Sequence, residues 1–275
     1  MDYVKPADVA AAMIETGRRK LGVKPLDLLI RSTIAGALLG ISTSLALTAT
    51  QTTTQPIVGA LIFPIGLVMI VLLGLELVTG SFAIVPLPLL EGQTTFGKVL
   101  ANLGIVYAGN LIGSMLYGLM LYAVLTMSGS AEATGIAPLI VKAAETKTIA
   151  YAAHGSAGML TAFVKAILCN WMVCFAVVFA MSSTSALGKI VTAWLPITVF
   201  FAQGFEHAVV NMFMIPTGIM LGAHVSLADW WLWNQIPVTL GNIVGGLVFT
   251  GLAIYLTHRQ PAQVESVAPV AQRAA

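Results

Sequence analysis

Residues 74–80 read GLELVTG and residues 204–211 read GFEHAVVN, each placing a glycine two residues before a glutamate in the middle of a long apolar run. A second matched pair lies downstream. AGNLIGSMLY at 108–117 and LGNIVGGLVF at 240–249 share Gly-Asn followed by Ile or Val and Gly. The separations Gly74 to Gly109 and Gly204 to Gly241 are 35 and 37 residues, so two motifs recur at nearly one offset and define an internal repeat.

The composition around the repeat places it in a bilayer. Of 275 residues, 58% are hydrophobic and 9% charged, against roughly 25% charged in an ordinary soluble domain. Mean hydropathy is +0.92, which excludes a disordered chain and a nucleic-acid binder and argues against a soluble enzyme. Apolar stretches long enough to span, about 20 residues each, fall at roughly 30–50, 56–90, 98–126, 157–182, 190–222 and 234–257. The second and fifth exceed one crossing but are too short for two. They carry Pro64, Gly66, Gly74, Gly80, Pro86 and Pro88 in one, and Pro196, Gly204, Pro216 and Gly218 in the other, so both read as broken helices. Three spans per unit is an odd number, so the second unit enters from the opposite face. The expectation is an all-α membrane protein of six spans, with an inverted repeat and helices 2 and 5 broken.

Basic residues set the orientation. Lys5, Arg18, Arg19, Lys20, Lys24, Arg31, Lys98, Lys189, Arg259 and Arg273 fall on one side, and Lys142 and Lys147 on the other, which predicts cytoplasmic termini. Residues 1–28 lack a signal-peptide core. Within them 7–20 pattern as an amphipathic helix at the cytoplasmic interface or as a solvated tail helix. The channel domain is expected over 29–258 and a disordered tail over 259–275. Cys169 and Cys174 are expected to be free, buried thiols on different faces of one helix. Trp230, Trp231 and Trp233 read as an interfacial belt ahead of span six.

A helix interrupted inside the membrane exposes unpaired backbone donors with partial positive charge, which attract a small anion. Glu76, Lys165, Glu206 and His207 fall clearly within spans and are functional candidates on that ground. His207 stands out because its ordinary pKa, about 6.5, allows proton exchange near neutrality. Glu76 and Glu206 occupy equivalent positions, and the symmetric reading is that each accepts hydrogen bonds from backbone donors at its own break. For Lys165, packing or pairing is favoured over ligand contact. Asn110, Asn170, Asn211, Asn234 and Asn242 supply amides whose default role is to join helices. No metal-ligand spacing, phosphate loop or nucleophile triad is present, so neither metal nor cofactor is expected.

On ILCNWMVC at 167–174, GFEHAVVNMFMIPTGI at 204–219 and IPVTLGNIVGG at 236–246, the chain resembles the formate/nitrite transporter family from about residue 6 to 258. The resemblance implies an aquaporin-like protomer, assembled as a pentamer in the cell membrane, passing formate, nitrite or hydrosulfide. It implies a substrate path at His207, Thr79, Asn170, Asn211 and Asn234, with Lys147, or His154 in an ungapped alignment, as the basic vestibule residue. It further implies hydrophobic gates at Phe63, Leu67 and Leu77 toward one side and Phe200 toward the other. The mechanism implied is passage as the neutral weak acid, with His207 as proton donor and Thr79 orienting its ring. Competing readings are an aquaporin-type channel for neutral solutes, which the lack of paired Asn-Pro-Ala motifs opposes, and an intramembrane metal protein, which no spacing supports.

Overall fold

The computed structural model describes residues 2–259; the expected tail, with Arg273, lies outside them apart from Arg259. Helix α1 is Pro6–Leu21. Among the described residues four helices are long and apolar enough to cross a membrane: α2 (Pro25–Thr53), α5 (Phe96–Leu125), α8 (Gly155–Met181) and α11 (Leu227–His258). Between them lie two pairs of shorter apolar helices, α3 (Pro56–Leu72) with α4 (Val78–Leu90), and α9 (Ala186–Ala202) with α10 (Ala208–Met220). These pairs are the broken spans 2 and 5, and the six-span arrangement with its inverted repeat is as expected.

In each repeat unit the first and third spans pack along each other, α2 on α5 and α8 on α11. The approach is close at equivalent glycines. A Cβ at Gly113 would lie 1.8 Å from the Thr33 carbonyl oxygen, and one at Gly245 would lie 2.3 Å from that of Ile167. Without a hydrophobic driving force between helices in lipid, such small residues let backbones pack directly.

Helix α1 docks its apolar stripe on the protein. Val9, Met13 and Ile14 pack with Leu87, Val178 and Tyr255, so the start of the chain and the end of α11 share one face of the molecule. This terminal face also carries the pair Arg259–Glu91. On the opposite, distal face the long connection after α5 forms α6 (Ala137–Thr146) and the single turn α7 (Ile149–Ala152).

One sequence expectation changes here. Trp230 does not belong to an interfacial belt: it is 3% exposed, lies inside α11, and donates its indole N–H to Gln235 Oε1 at 3.1 Å. Helix α11 also contains two π-helical stretches, Trp231–Gln235 and Leu247–Leu252; the first turns both Asn234 and Gln235 inward, where they are fully buried. Cys169 and Cys174 are free and buried.

Candidate functional site

The two breaks have the same backbone. Gly74 and Gly204 have φ of +61° and +63°, in the left-handed region that favours glycine. Behind Gly74, its N–H reaches Val71 O and the Leu75 N–H reaches Ile70 O; behind Gly204, the same two bonds run to Phe201 O and Phe200 O. This is the Schellman closure of a helix C-terminus. Three residues later the chain re-enters a helix, with Leu77 (φ −115°, ψ 120°) capping α4 and His207 (φ −113°, ψ 119°) capping α10. The repeat therefore makes Leu77 and His207 equivalent.

An asparagine from the third span of each unit clamps its break. Asn110 donates Nδ2 to Ser32 O at 2.8 Å and Glu76 O at 2.9 Å, and its Oδ1 accepts from Val78 N–H at 2.9 Å. Asn242 donates to Ala166 O at 2.8 Å and Glu206 O at 3.0 Å, and accepts from Ala208 N–H at 2.9 Å. Each amide thus satisfies a break carbonyl and a new helix N–H that lipid could not serve. This corrects the expectation for the glutamates. Their carboxylates do not take the backbone donors, because the asparagines already do; Glu76 pairs with Lys20 and Glu206 with Lys147.

His207 and Thr79 meet at the centre, Nε2 to Oγ1 at 3.0 Å, both buried. The tautomer follows from the other nitrogen. Val210 N–H donates to His207 Nδ1 at 3.2 Å, so in the neutral ring the proton sits on Nε2 and is donated to Thr79 Oγ1. The Thr79 hydroxyl proton is then free to point elsewhere. Thr79 is held from behind: Asn170 Nδ2 and Cys174 Sγ donate to its carbonyl oxygen at 3.0 and 3.3 Å. Asn170 also bonds Asn242 O at 2.6 Å, tying the two breaks together.

Phe63, Leu67, Leu77 and Phe200 lie in one buried cluster with Cys169, Val173 and Val209. Phe200 stacks on the His207 ring at 5.8 Å between centroids. Phe63 meets Phe200 edge to face at 5.7 Å, so these two gate candidates touch rather than stand apart on opposite sides. Leu67 and Leu77 line a cavity of about 470 Å3 toward the terminal face, together with Arg19, Lys20, Arg31, Glu76 and Lys189.

On the distal side the polar groups gather around Glu206. Its Oε2 accepts from Lys147 Nζ at 2.8 Å and from Asn211 Nδ2 at 2.8 Å, and its Oε1 accepts from Tyr151 at 2.8 Å. Asn234 bridges the group, accepting from Asn211 and donating to Lys147 O, both at 2.8 Å. Burial and the Glu206 carboxylate hold the Tyr151 phenol above its ordinary range, so it remains a proton-bearing donor. The structure brings Lys147 to this group; His154, exposed at the start of α8, is not among its partners. Tyr151 escapes sequence reading because it lies on the single turn of a connection with no periodic pattern.

The chain is similar to known proteins along nearly its whole length. The family described as "Formate/nitrite transporter" matches residues 7–256. A "Probable formate transporter" of Methanothermobacter thermautotrophicus is 35% identical over 93% of this chain and 97% of its own. The "Formate channel FocA" of Escherichia coli (strain K12) is 32% identical over 94% and 95%. Among solved structures, an "FNT family ion channel" aligns with a TM-score of 0.78 at 27% identity, covering 92% of this chain and 99% of its own. A "Pentameric formate channel with formate bound" aligns at 0.69 and 28% identity, covering 84% and 96%.

Proposed function

The chain belongs to the formate/nitrite transporter family, whose members are channels and transporters rather than enzymes, and on that premise we propose that it carries small monovalent anions, formate first among them, with a proton. The observation that carries this reading is the Thr79–His207 pair, buried where the two breaks face each other and covered by Phe200. A bare anion is costly in such an apolar layer, and loses less when it takes a proton and crosses as the weak acid.

The residues divide the work. The α4 and α10 starts present partial positive charge, and Thr79 offers its hydroxyl proton to the anion with the imidazole behind it. In the neutral ring Nε2–H is the sole ring proton, so a donor state requires a second proton from water at Nδ1, which gives up the Val210 bond. The imidazolium then passes the Nε2 proton to Thr79 Oγ1 as Thr79 passes its own to the anion, and the ring resets by taking a proton at Nε2 and returning the Nδ1 proton to water, which restores the Val210 bond. Beyond the Phe63, Leu67 and Phe200 layer the acid releases the proton to water.

Asn170 positions Thr79, and the Asn211, Asn234 and Lys147 group frames the distal entrance. The basic residues around the terminal-face cavity support cytoplasmic termini, in a cell membrane. The likeness to a pentameric formate channel supports a homopentamer, each protomer with its own pore.

The test is uptake in proteoliposomes, with formate, nitrite, hydrosulfide, lactate and bicarbonate competing at two pH values. Formate uptake with coupled proton movement, lost in His207→Phe, is expected. Undiminished coupling in a correctly assembled His207→Phe protein would overturn the mechanism, and preference for nitrite would reassign the substrate.

A further inference from the structure

The charged side chains that line the terminal-face cavity are Arg19, Lys20, Arg31, Glu76 and Lys189. Lys20 and Glu76 cancel each other as an ion pair. Among the described residues Arg19, Arg31 and Lys189 have no carboxylate within ion-pair distance, so four cations against one anion leave the cavity a surplus of +3. A monovalent substrate would use one of these charges. The three unpaired cations come from three helices, α1, α2 and α9, and line one space.

Part of the set is held in place beforehand. The end of α1 is anchored where Asn102 Nδ2 donates to the Lys20 carbonyl at 3.0 Å and the Lys20 ammonium pairs with Glu76. Arg19 lies in that last turn and gives one N–H to Thr16 Oγ1 at 3.1 Å; the other donors of its planar fork suit a phosphate group. A second, independent observation comes from the cavity wall. Ser81 is 1% exposed and lines the same cavity, and its Oγ has no hydrogen-bond partner. Hydroxyls inside helices commonly bond the carbonyl one turn back, as those of Ser32 and Thr43 do in this chain. A buried hydroxyl without such a bond, beside surplus cations, suits an anionic oxygen.

Size and depth define the occupant. At about 470 Å3 the cavity falls among small-molecule sites, roughly 300–1,000 Å3, and holds far more than formate or nitrite fills. Leu67 and Leu77 line it and belong to the buried apolar cluster of Phe63 and Phe200. A monovalent anion needs one proton to cross that layer as a neutral acid. An ion of several charges needs several, and any charge left over is costly there, so such an ion binds in the cavity and goes no further.

We propose that the terminal-face cavity is a binding site for a polyvalent phosphate, an anion with two or more charges on phosphate oxygens, seated by Arg19, Arg31, Lys189 and Ser81, and that its occupancy obstructs the path. The binding is independent of the transport reading above, whereas the obstruction rests on it.

Wild type, Ser81→Ala and a triple variant (Arg19→Gln, Arg31→Gln, Lys189→Gln) would be compared in two assays. In the first, detergent-solubilised protein is titrated with sodium tripolyphosphate, sodium formate or sodium chloride at matched ionic strength, and the thermal shift is read. Half of the wild-type stabilisation should need about tenfold less tripolyphosphate than formate. That concentration should rise about tenfold or more in the triple variant, from the loss of three partly screened charge contacts, and about threefold or more in Ser81→Ala, from the loss of one hydrogen bond. Added salt should weaken the wild-type response. Arg31→Gln alone gives the same reading if the triple variant does not fold. A titration with dihexanoyl phosphatidic acid separates the sources of the phosphate: tighter binding than tripolyphosphate supports the site with a lipid headgroup as ligand, and weaker binding supports it with a soluble phosphate. In the second assay, formate uptake is followed in phosphatidylcholine proteoliposomes with tripolyphosphate on both sides, so that either insertion is exposed. Relative to its own uninhibited rate, uptake should fall in wild type and persist in the triple variant. Stabilisation by tripolyphosphate that is equal in wild type and the triple variant, or no tighter than by formate, overturns the proposal. Tight binding with undiminished uptake overturns the obstruction, and wild type that takes up no formate without tripolyphosphate overturns the transport reading alone.

Discussion

Thr79 and His207 come from different halves of the repeat and share one hydrogen bond, whose direction is fixed from outside the pair. Because Val210 N–H occupies Nδ1, the ring donates through Nε2. Thr79→Val therefore leaves a buried N–H without a partner, at a cost of about 1–3 kcal/mol, and removes the hydroxyl that the proposed route offers to the anion. The expected outcome is a lower melting temperature and formate uptake close to empty liposomes, whereas Thr79→Ser retains most of both. Paired melting and uptake curves check it.

Asn110 and Asn242 predict a matched pair of losses. Asn110→Leu strands the Val78 N–H and the Glu76 and Ser32 carbonyls, and Asn242→Leu strands the corresponding Ala208, Glu206 and Ala166 groups. With each unsatisfied buried group costing about 1–3 kcal/mol, both variants should fail to assemble or melt far below wild type, to similar extents. Size-exclusion profiles and thermal melts decide it; a large effect at only one site would show that the two breaks are not equivalent in energy.

Glycine at the breaks is required by backbone rather than by space. Nothing lies within 4 Å of a Cβ built on Gly74 or Gly204, yet both have positive φ. Alanine at either position should cost about 1–2 kcal/mol, and asparagine, which tolerates this region, less. Ranking melts of the Ala and Asn variants at each site tests the assignment.

The distal ion pair predicts non-additivity. Lys147→Met leaves Glu206 buried without its cation, and breaking such a pair costs about 3–5 kcal/mol. The double variant Lys147→Met with Glu206→Gln should recover much of that loss, since the glutamine carbonyl can still accept from Asn211 while its amide donates to the Tyr151 oxygen. A double-mutant cycle on melting measures the coupling; additive losses would show that the pair is not a unit.

The breaks were legible in the sequence because a glycine ahead of a glutamate is rare inside an apolar run, and its repetition with Gly-Asn named the inverted repeat. What each group does was less legible. Glu76 and Glu206 look like the natural acceptors for the break, but Asn110 and Asn242 arrive from another span and carry donor and acceptor together, which a carboxylate does not. Trp230 reads as interfacial from its neighbours alone; a π-helical stretch shifts the register and turns Asn234 and Gln235 inward, and no single residue encodes that shift. Lys147 and Tyr151 converge on Glu206 from a connection whose path only the folded chain reveals.

The two breaks share their turn, their clamp and their lysine-paired glutamate, and differ at the residue that opens the new helix, leucine at 77 and histidine at 207. Folding and chemistry are thereby assigned to separate positions. The scaffold is twofold, while on the proposed transport reading the entrances it joins are not interchangeable: a solute arriving from the terminal face would reach an aliphatic side chain at the point where one from the distal face would reach an imidazole. Handedness of transport in a near-symmetric body can then be set at two side chains, without altering the framework that holds them.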